Sequence, residues 1–313
     1  PLIGNYGICN QDKEAKKSNT DAFIVRELAR LGSNFRKEES IQQFLVEQDI
    51  PGIEGIDTRA LTKRLREKGT MNGMITTEKP EDLSAVLEKI KKYSVRGVVD
   101  KVTTKEIVSY KPGDLDTDSN ISITKKVAIL DVGTKFNIAR CLLKRGCEVT
   151  IYPARTKAET ILASHPDGIM LTNGPGDPKE CTEVIEELKK LYASDIPIFA
   201  ICLGHQLMAL ACGCDTEKMK YGHRGANHPV KDLKTGRVYI SSQNHGYVVD
   251  AEGLEEKNIA KPAFVNVNDG TNEGMAYEGK NIFTVQFHPE ACPGPQDSSY
   301  LFDRFMDMMG GNK

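Results

Sequence analysis

Ile196-Pro-Ile-Phe-Ala-Ile-Cys202-Leu-Gly-His-Gln-Leu-Met-Ala-Leu-Ala-Cys-Gly213 changes character at its first cysteine, and that change decides the fold. Residues 196–201 are an apolar run opened by a proline, which predicts a buried strand. Residues 203–212, rich in Leu, Met and Ala and stopped by Gly213, predict a helix with its C-terminal cap. Cys202 stands at the junction. On so tight a turn a side chain is held clear of the sheet, and the unpaired N–H groups of the new helix point at it, which stabilises a thiolate and then an oxyanion. An arbitrary cysteine is more often a buried, inert thiol. The abrupt junction, with Gly204 two residues on and the small Ala200 two residues before, makes this one a candidate nucleophile.

Strand and helix signals alternate on the N-terminal side of this stretch. Residues 127–133, 148–152 and 168–172 read as buried strands, and residues 135–145 and 179–192 as helices. This order predicts an α/β fold, a mostly parallel sheet with helices on both faces, whose site lies at the C-terminal strand ends where Cys202 stands. The loop 131–137 holds one glycine and no Gly-x-Gly-x-x-Gly, which argues against a nicotinamide or flavin site. Another loop, Asn173-Gly-Pro-Gly-Asp-Pro178, fixes a rigid turn at a strand end and leaves backbone N–H groups uncrowded, as an oxyanion hole requires.

Past residue 214 short alternating runs at 238–242, 264–268, 274–277 and 282–287 predict further strands, and 298–309 a closing helix. The run 282–287 delivers His288-Pro-Glu290. A thiol nucleophile needs a base, and the base needs an acceptor to fix its tautomer; His288 and Glu290 are the best pair for this. Of the other histidines, His205 shares the Cys202 helix and faces the scaffold, His165 precedes a proline in a loop, and His223 and His228 fall in Gly/Asn-rich turns. His245 stays open as a second candidate base.

Residues 1–110 form a separate, smaller unit of mixed helices and strands, joined to the second domain, 127–313, by a Pro-, Gly-, Ser- and Asp-rich linker at 111–126. Its helices are expected at 40–47, capped by Ser40 with Gln43 completing a capping box; at 58–68, between Asp57 and Gly69; and at 80–92, with Pro80 in the first turn. Leu61 and Leu65 point inward on the second, and Leu83, Val86, Leu87 and Ile90 form the buried stripe of the third. No residue of this unit suggests chemistry, since no histidine precedes His165.

Composition bounds the rest. The 313 residues are 39% hydrophobic and 27% charged, with 42 basic against 44 acidic side chains and a net charge of −2, which argues against nucleic acid or an anionic membrane as partner. The apolar stretch 196–213 carries His205 and Gln206 at its centre and is a core segment, not a membrane span. Eight cysteines without disulfide-scaffold spacing fit a reducing compartment, the cytoplasm by default. The Cys212-Gly-Cys214 pair has no second Cys/His pair at zinc spacing, so no metal is expected. Pro1 at the start suggests that the N-terminus is truncated.

Three of these motifs, Ala-Ile-Cys202-Leu-Gly-His-Gln206, Asn173–Pro178 and Gln286-Phe-His288-Pro-Glu290-Ala, resemble those of the class I (triad) glutamine amidotransferases, in which a Cys-His-Glu triad hydrolyses glutamine to glutamate and ammonia. Ala200 replaces a frequent glycine and adds only a methyl group to the turn. Gly4-Asn-Tyr-Gly7, Gly55-Ile-Asp-Thr-Arg-Ala-Leu-Thr62, Leu65-Arg-Glu-Lys-Gly69, Gly97-Val-Val-Asp100, Ser242-Gln-Asn-His-Gly-Tyr247 and His288-Pro-Glu-Ala-Cys-Pro-Gly-Pro295 are similar to the small subunits of glutamine-hydrolysing carbamoyl phosphate synthetases. That likeness spans essentially the whole chain, and its first-domain part is specific, because other amidotransferases lack the domain.

The resemblance implies Cys202 as nucleophile, His288 as base and Glu290 as its orienter. It assigns oxyanion donors to the backbone N–H groups of Leu203 and Gly174, and a glutamine pocket to Gly176, Gln206, Asn244, Gly246 and Tyr247, the last where the family commonly has phenylalanine. It implies no cofactor in this chain. Ammonia would pass to a large subunit that uses ATP and magnesium and joins it to bicarbonate and phosphate for arginine and pyrimidine synthesis. It also implies a missing N-terminal segment with a serine that contacts glutamine. Two other readings compete: the glutaminase of GMP or anthranilate synthesis, against which the first domain argues, and a silent regulatory subunit, which would typically have lost Cys202.

Overall fold

Residues 3–310 are described in the computed structural model of the chain, which divides between Val95 and Arg96 into two compact units. In the first unit the local signals act as predicted. Two-residue strands β1 (Phe23–Ile24) and β2 (Gly52–Ile53) pair in parallel. Helix α1 (Ile41–Glu47) opens on the expected capping box, the Ser40 hydroxyl accepting from the Gln43 N–H at 3.2 Å and Gln43 Oε1 from the Ser40 N–H at 2.9 Å. Helix α2 (Thr58–Lys68) starts on Asp57, which accepts from the Ala60 N–H at 3.0 Å, and stops at Gly69. Helix α3 (Leu83–Lys92) begins after Pro80, because Asp82 supplies the cap to the N–H groups of Ser84 and Ala85 at 2.8 and 3.1 Å.

Packing departs from expectation here. Leu61, Leu83 and Leu87 are 38%, 61% and 47% exposed, and among the described residues of this unit Val25 is the one buried apolar side chain. Amphipathic spacing specifies a face that needs cover; it does not supply the cover.

The second unit opens with helix α4 (Val98–Val102) and strand β3 (Val108–Tyr110). Then come β4 (Lys125–Asp131), α5 (Phe136–Leu143), β5 (Cys147–Pro153), α6 (Ala158–Leu162), β6 (Gly168–Leu171), α7 (Thr182–Ala193), β7 (Ile198–Ile201) and α8 (Leu203–Ala211). A long hairpin of β8 (Asp215–Asp232) and β9 (Val238–Asp250) follows, then α9 (Glu252–Glu256), β10 (Ala260–Asn266), β11 (Asn272–Tyr277), β12 (Ile282–Val285) and α10 (Tyr300–Gly310). All of these strands form one sheet in the order β3-β5-β4-β6-β7-β12-β11-β10-β8-β9. Its central strands β5, β4, β6, β7 and β12 are parallel, and the flanking ones are antiparallel.

Alternation along the strands builds a core on each face. Ala128, Leu130, Ile198 and Ala200 meet α6, α7 and α8 through Ile161, Leu188, Leu191 and Leu207. Val127, Ile129, Phe199 and Ile201 meet α5 and α10 through Ile138, Leu142, Phe302 and Phe305. Phe199 stacks on Phe283 with ring centroids 4.4 Å apart, which fixes the β7–β12 contact from which the site emerges. No described helix is long and apolar enough to cross a membrane.

Two stretches differ from the sequence reading. The passage between units falls at residues 95 and 96, ahead of the linker expected at 111–126. Just before that window β3 pairs with β5, and within it Leu115 packs on the core and the Arg140 guanidinium donates to the Leu115 carbonyl at 3.2 Å, so the Pro- and Gly-rich composition encodes turns bound to the sheet. Strand β8, which carries His223 and His228, runs where composition predicts turns, because its exposed residues interrupt any apolar alternation.

Candidate active site

Cys202 occupies the turn between β7 and α8 with φ 53° and ψ −105°, a conformation that costs a non-glycine residue about 1–3 kcal/mol and persists only where the surroundings impose it. They impose it from three sides. The Cys202 N–H donates to the Val285 carbonyl of β12 at 2.8 Å, the Gly204 N–H to the Thr172 carbonyl at 3.0 Å, and the Cys202 carbonyl accepts from Gln206 at 3.2 Å. A Cβ on Gly204 would lie 2.7 Å from the Leu171 carbonyl oxygen, so only glycine lets α8 start this close to β6. Gly174 is equally confined: a Cβ there would meet the Val132 carbonyl and, at 2.6 Å, Leu203 Cδ2. The loop 173–178 and the start of α8 are thereby brought together, as their expected oxyanion roles require.

His288 follows β12, its N–H donating to the Ser242 carbonyl at 2.9 Å. Its Nδ1 meets Glu290 Oε1 at 2.7 Å, with both side chains buried, while Nε2 has no hydrogen-bond partner among the described residues. Burial alone would lower the His288 pKa; the Glu290 carboxylate and the nearby Cys202 sulfur reverse that and raise it above the usual imidazole range. Burial would likewise raise Glu290, and it is outweighed by His288 and Lys135, which hold the carboxyl below its usual range. The pair favours imidazolium against carboxylate, with Nε2 open.

Lys135 is a neighbour that sequence reasoning missed. From the loop after β4 its Nζ reaches Glu290 Oε1 at 3.2 Å and His288 Nδ1 at 3.3 Å, and Asn137 Nδ2 donates to the Glu290 carbonyl. Nothing in that loop's spacing marks a residue whose partner is 155 positions away.

The expected pocket residues are partly assembled. Gln206 Nε2 donates to the Tyr247 carbonyl at 3.0 Å and to Gln286 Oε1 at 2.9 Å, joining α8 to β9. Burial and the Asp177 carboxylate push the Tyr247 hydroxyl pKa up to about 12. Gly246 lies half-buried beside the Arg224 guanidinium, and Asn244 is exposed opposite Arg224 in the β8–β9 register. Gly176 faces α4, a Cβ there coming within 2.5 Å of Val98 Cγ2. His205 is buried against Thr284 Oγ1 at 2.7 Å, in the scaffold as expected. His245 donates from Nδ1 to the Tyr247 backbone carbonyl at 2.8 Å, where His288 Nδ1 meets the Glu290 carboxylate, and burial pushes the His245 pKa down to about 3.

Comparison with known proteins identifies the family. Residues 128–308 match the family model for class-I glutamine amidotransferases, and residues 1–75 that for the CPSase domain of the carbamoyl-phosphate synthase small chain. The chain is 47% identical, over its whole length and 83% of the relative's, to the carbamoyl phosphate synthase small chain of Listeria monocytogenes. It is 49% identical to that of Clostridium perfringens, covering 98% of this chain and 83% of the other. A solved structure from Thermoplasma acidophilum, described as a GMP synthase component, superposes with a TM-score of 0.52 at 20% identity, over 59% of this chain and 94% of that one, and shares the fold.

Proposed function

Because this chain belongs to the carbamoyl phosphate synthase small chain family and carries a class I glutamine amidotransferase domain, we propose that it hydrolyses glutamine through Cys202, His288 and Glu290 and hands the ammonia to a large partner subunit. Cys202 Sγ attacks the side-chain carboxamide carbon of glutamine, and the N–H groups of Leu203 and Gly174 hold the oxyanion that forms. His288 Nε2–H protonates the leaving nitrogen, and ammonia departs. The same nitrogen then takes a proton from water, which cleaves the thioester to glutamate and restores the thiol. Glu290 keeps the Nδ1 proton in place throughout, and Lys135 keeps Glu290 ionised.

The observation that supports this most is the buried His288–Glu290 pair, 2.7 Å apart, whose Nε2 is left open near a strained Cys202. Gln206, Tyr247, Gly246, Asn244 and Gly176 line the glutamine site in this reading. The partner subunit, which uses ATP and magnesium, forms carbamoyl phosphate from the ammonia and bicarbonate. Glutamate release by the purified chain tests the assignment: Cys202→Ala is expected to lower turnover on the order of 10³-fold or more while leaving the unfolding transition intact. Substantial turnover by that variant would overturn it.

A further inference from the structure

Beyond the Cys202 site, the second unit brings two histidines and a glutamate from three strands to one point. His223 stands on β8, His245 on β9 and Glu273 on β11, all buried, with one donor atom of each within 4.8 Å of the others. His223 Nδ1 lies 3.2 Å from His245 Nε2 and 3.3 Å from Glu273 Oε1. Two ligands of a tetrahedral zinc ion, each about 2.0–2.1 Å from the metal, stand about 3.3 Å apart, so both distances match edges of such a site.

The outer nitrogens are already committed. His223 Nε2 meets Asp269 Oδ2 at 2.8 Å, and His245 Nδ1 donates to the Tyr247 carbonyl at 2.8 Å. In neutral rings those bonds fix the tautomers and turn the remaining lone pairs, Nδ1 of His223 and Nε2 of His245, toward each other. Gln243 Oε1 adds a further acceptor 2.9 Å from His245 Nε2, and Glu273 Oε2 is buried without a partner among the described residues. Among the described residues one side-chain amide donor faces the group, Asn266 Nδ2, 3.0 Å from Glu273 Oε1 and 3.5 Å from His223 Nδ1. Buried lone pairs aimed at one point call for a positive charge among them, which either a bound cation or a proton on His223 supplies.

We propose that His223, His245 and Glu273 bind a single divalent zinc ion, with Gln243 Oε1 or water as fourth ligand and Asp269 orienting His223. The partly exposed Asp269 marks the side from which the ion enters. The ion pins β8, β9 and β11 together, and because the Tyr247 carbonyl takes both His245 and Gln206, it steadies the strand that carries Asn244, Gly246 and Tyr247. Spacing did not reveal the set, since its members lie at positions 223, 245 and 273.

The test measures metal, not glutamine, so it stands or falls apart from the proposed function. The purified full chain is assayed for zinc by mass spectrometry without chelators, then stripped and titrated with zinc chloride while its thermal unfolding is followed. Expected are about one zinc per chain and a zinc-dependent rise in Tm. Both should be lost in the near-isosteric Glu273→Gln and in His223→Asn, with zinc affinity about 10–100-fold weaker in Asp269→Asn. A wild-type chain that retains no zinc and shows no Tm response overturns the proposal and leaves a proton as the charge between the rings. Undiminished zinc in both ligand variants overturns it too, by placing the ion elsewhere.

Discussion

Glu290 meets His288 through the 2.7 Å bond to Nδ1, and its charge, together with the nearby Cys202 sulfur, lifts the imidazole pKa against the lowering effect of burial. Glu290→Gln keeps a polar partner and removes the charge, so the folded-state pKa of His288 must fall. In the proposed mechanism the protonated imidazole gives its proton to the leaving nitrogen, so the rate is expected to be lost as pH rises through that pKa. The alkaline limb of kcat/KM for Glu290→Gln is therefore expected at lower pH than in the native chain, with turnover above that of His288→Asn, which removes the proton carrier itself. An unmoved limb, or equal and negligible losses in both variants, would take Glu290 out of the role. At this scale the sequence was most legible where chemistry is local: a cysteine on a strand-to-helix junction and a histidine two residues before a glutamate announce themselves. Lys135 did not, because its meeting with Glu290 exists only once β4 and β12 lie in one sheet.

Elements were legible where burial is complete on a known period. The buried runs of β4, β6 and β7 and the caps of α1 and α2 follow from residue order, whereas β8, exposed and polar along much of its length, leaves no alternation to read. The elbow shows how tightly the elements constrain one another. Gly204 holds α8 against β6 with no room for a methyl group, since a Cβ would sit 2.7 Å from both Leu171 Cβ and the Leu171 carbonyl oxygen, and backbone cannot swing aside as a side chain can. Gly204→Ala is expected to cost about 1–3 kcal/mol, read from the denaturant midpoint. Turnover should fall further than stability alone explains, because the helix start that gives carries the Leu203 N–H. An alanine variant with native midpoint and native turnover would show that the junction is looser than this packing implies.

Across the whole molecule the two units differ in what they bury. The second has a core on each sheet face, while the first keeps Phe35 96%, Leu31 83% and Val46 75% exposed and buries Val25 alone among its described apolar side chains. A unit with so little core gains stability by covering those side chains, and a family whose partner is a large subunit supplies a cover. Under the proposed function ammonia would add a second reason for such an interface, since an intermediate that water would protonate and disperse is best released into a sealed route. The strained turn at Cys202 and the partly exposed Lys135 at the Glu290 end of the site belong to the kind of arrangement that a docking partner can tighten. Glutamine turnover by this chain alone is therefore expected to be slow and to rise when the large subunit is added, and charged substitutions at Phe35 and Leu31 should reduce the rise without changing the basal rate. If the isolated chain already turns over as fast as the complex, docking does not order the site, and the exposed faces of the first unit have another use.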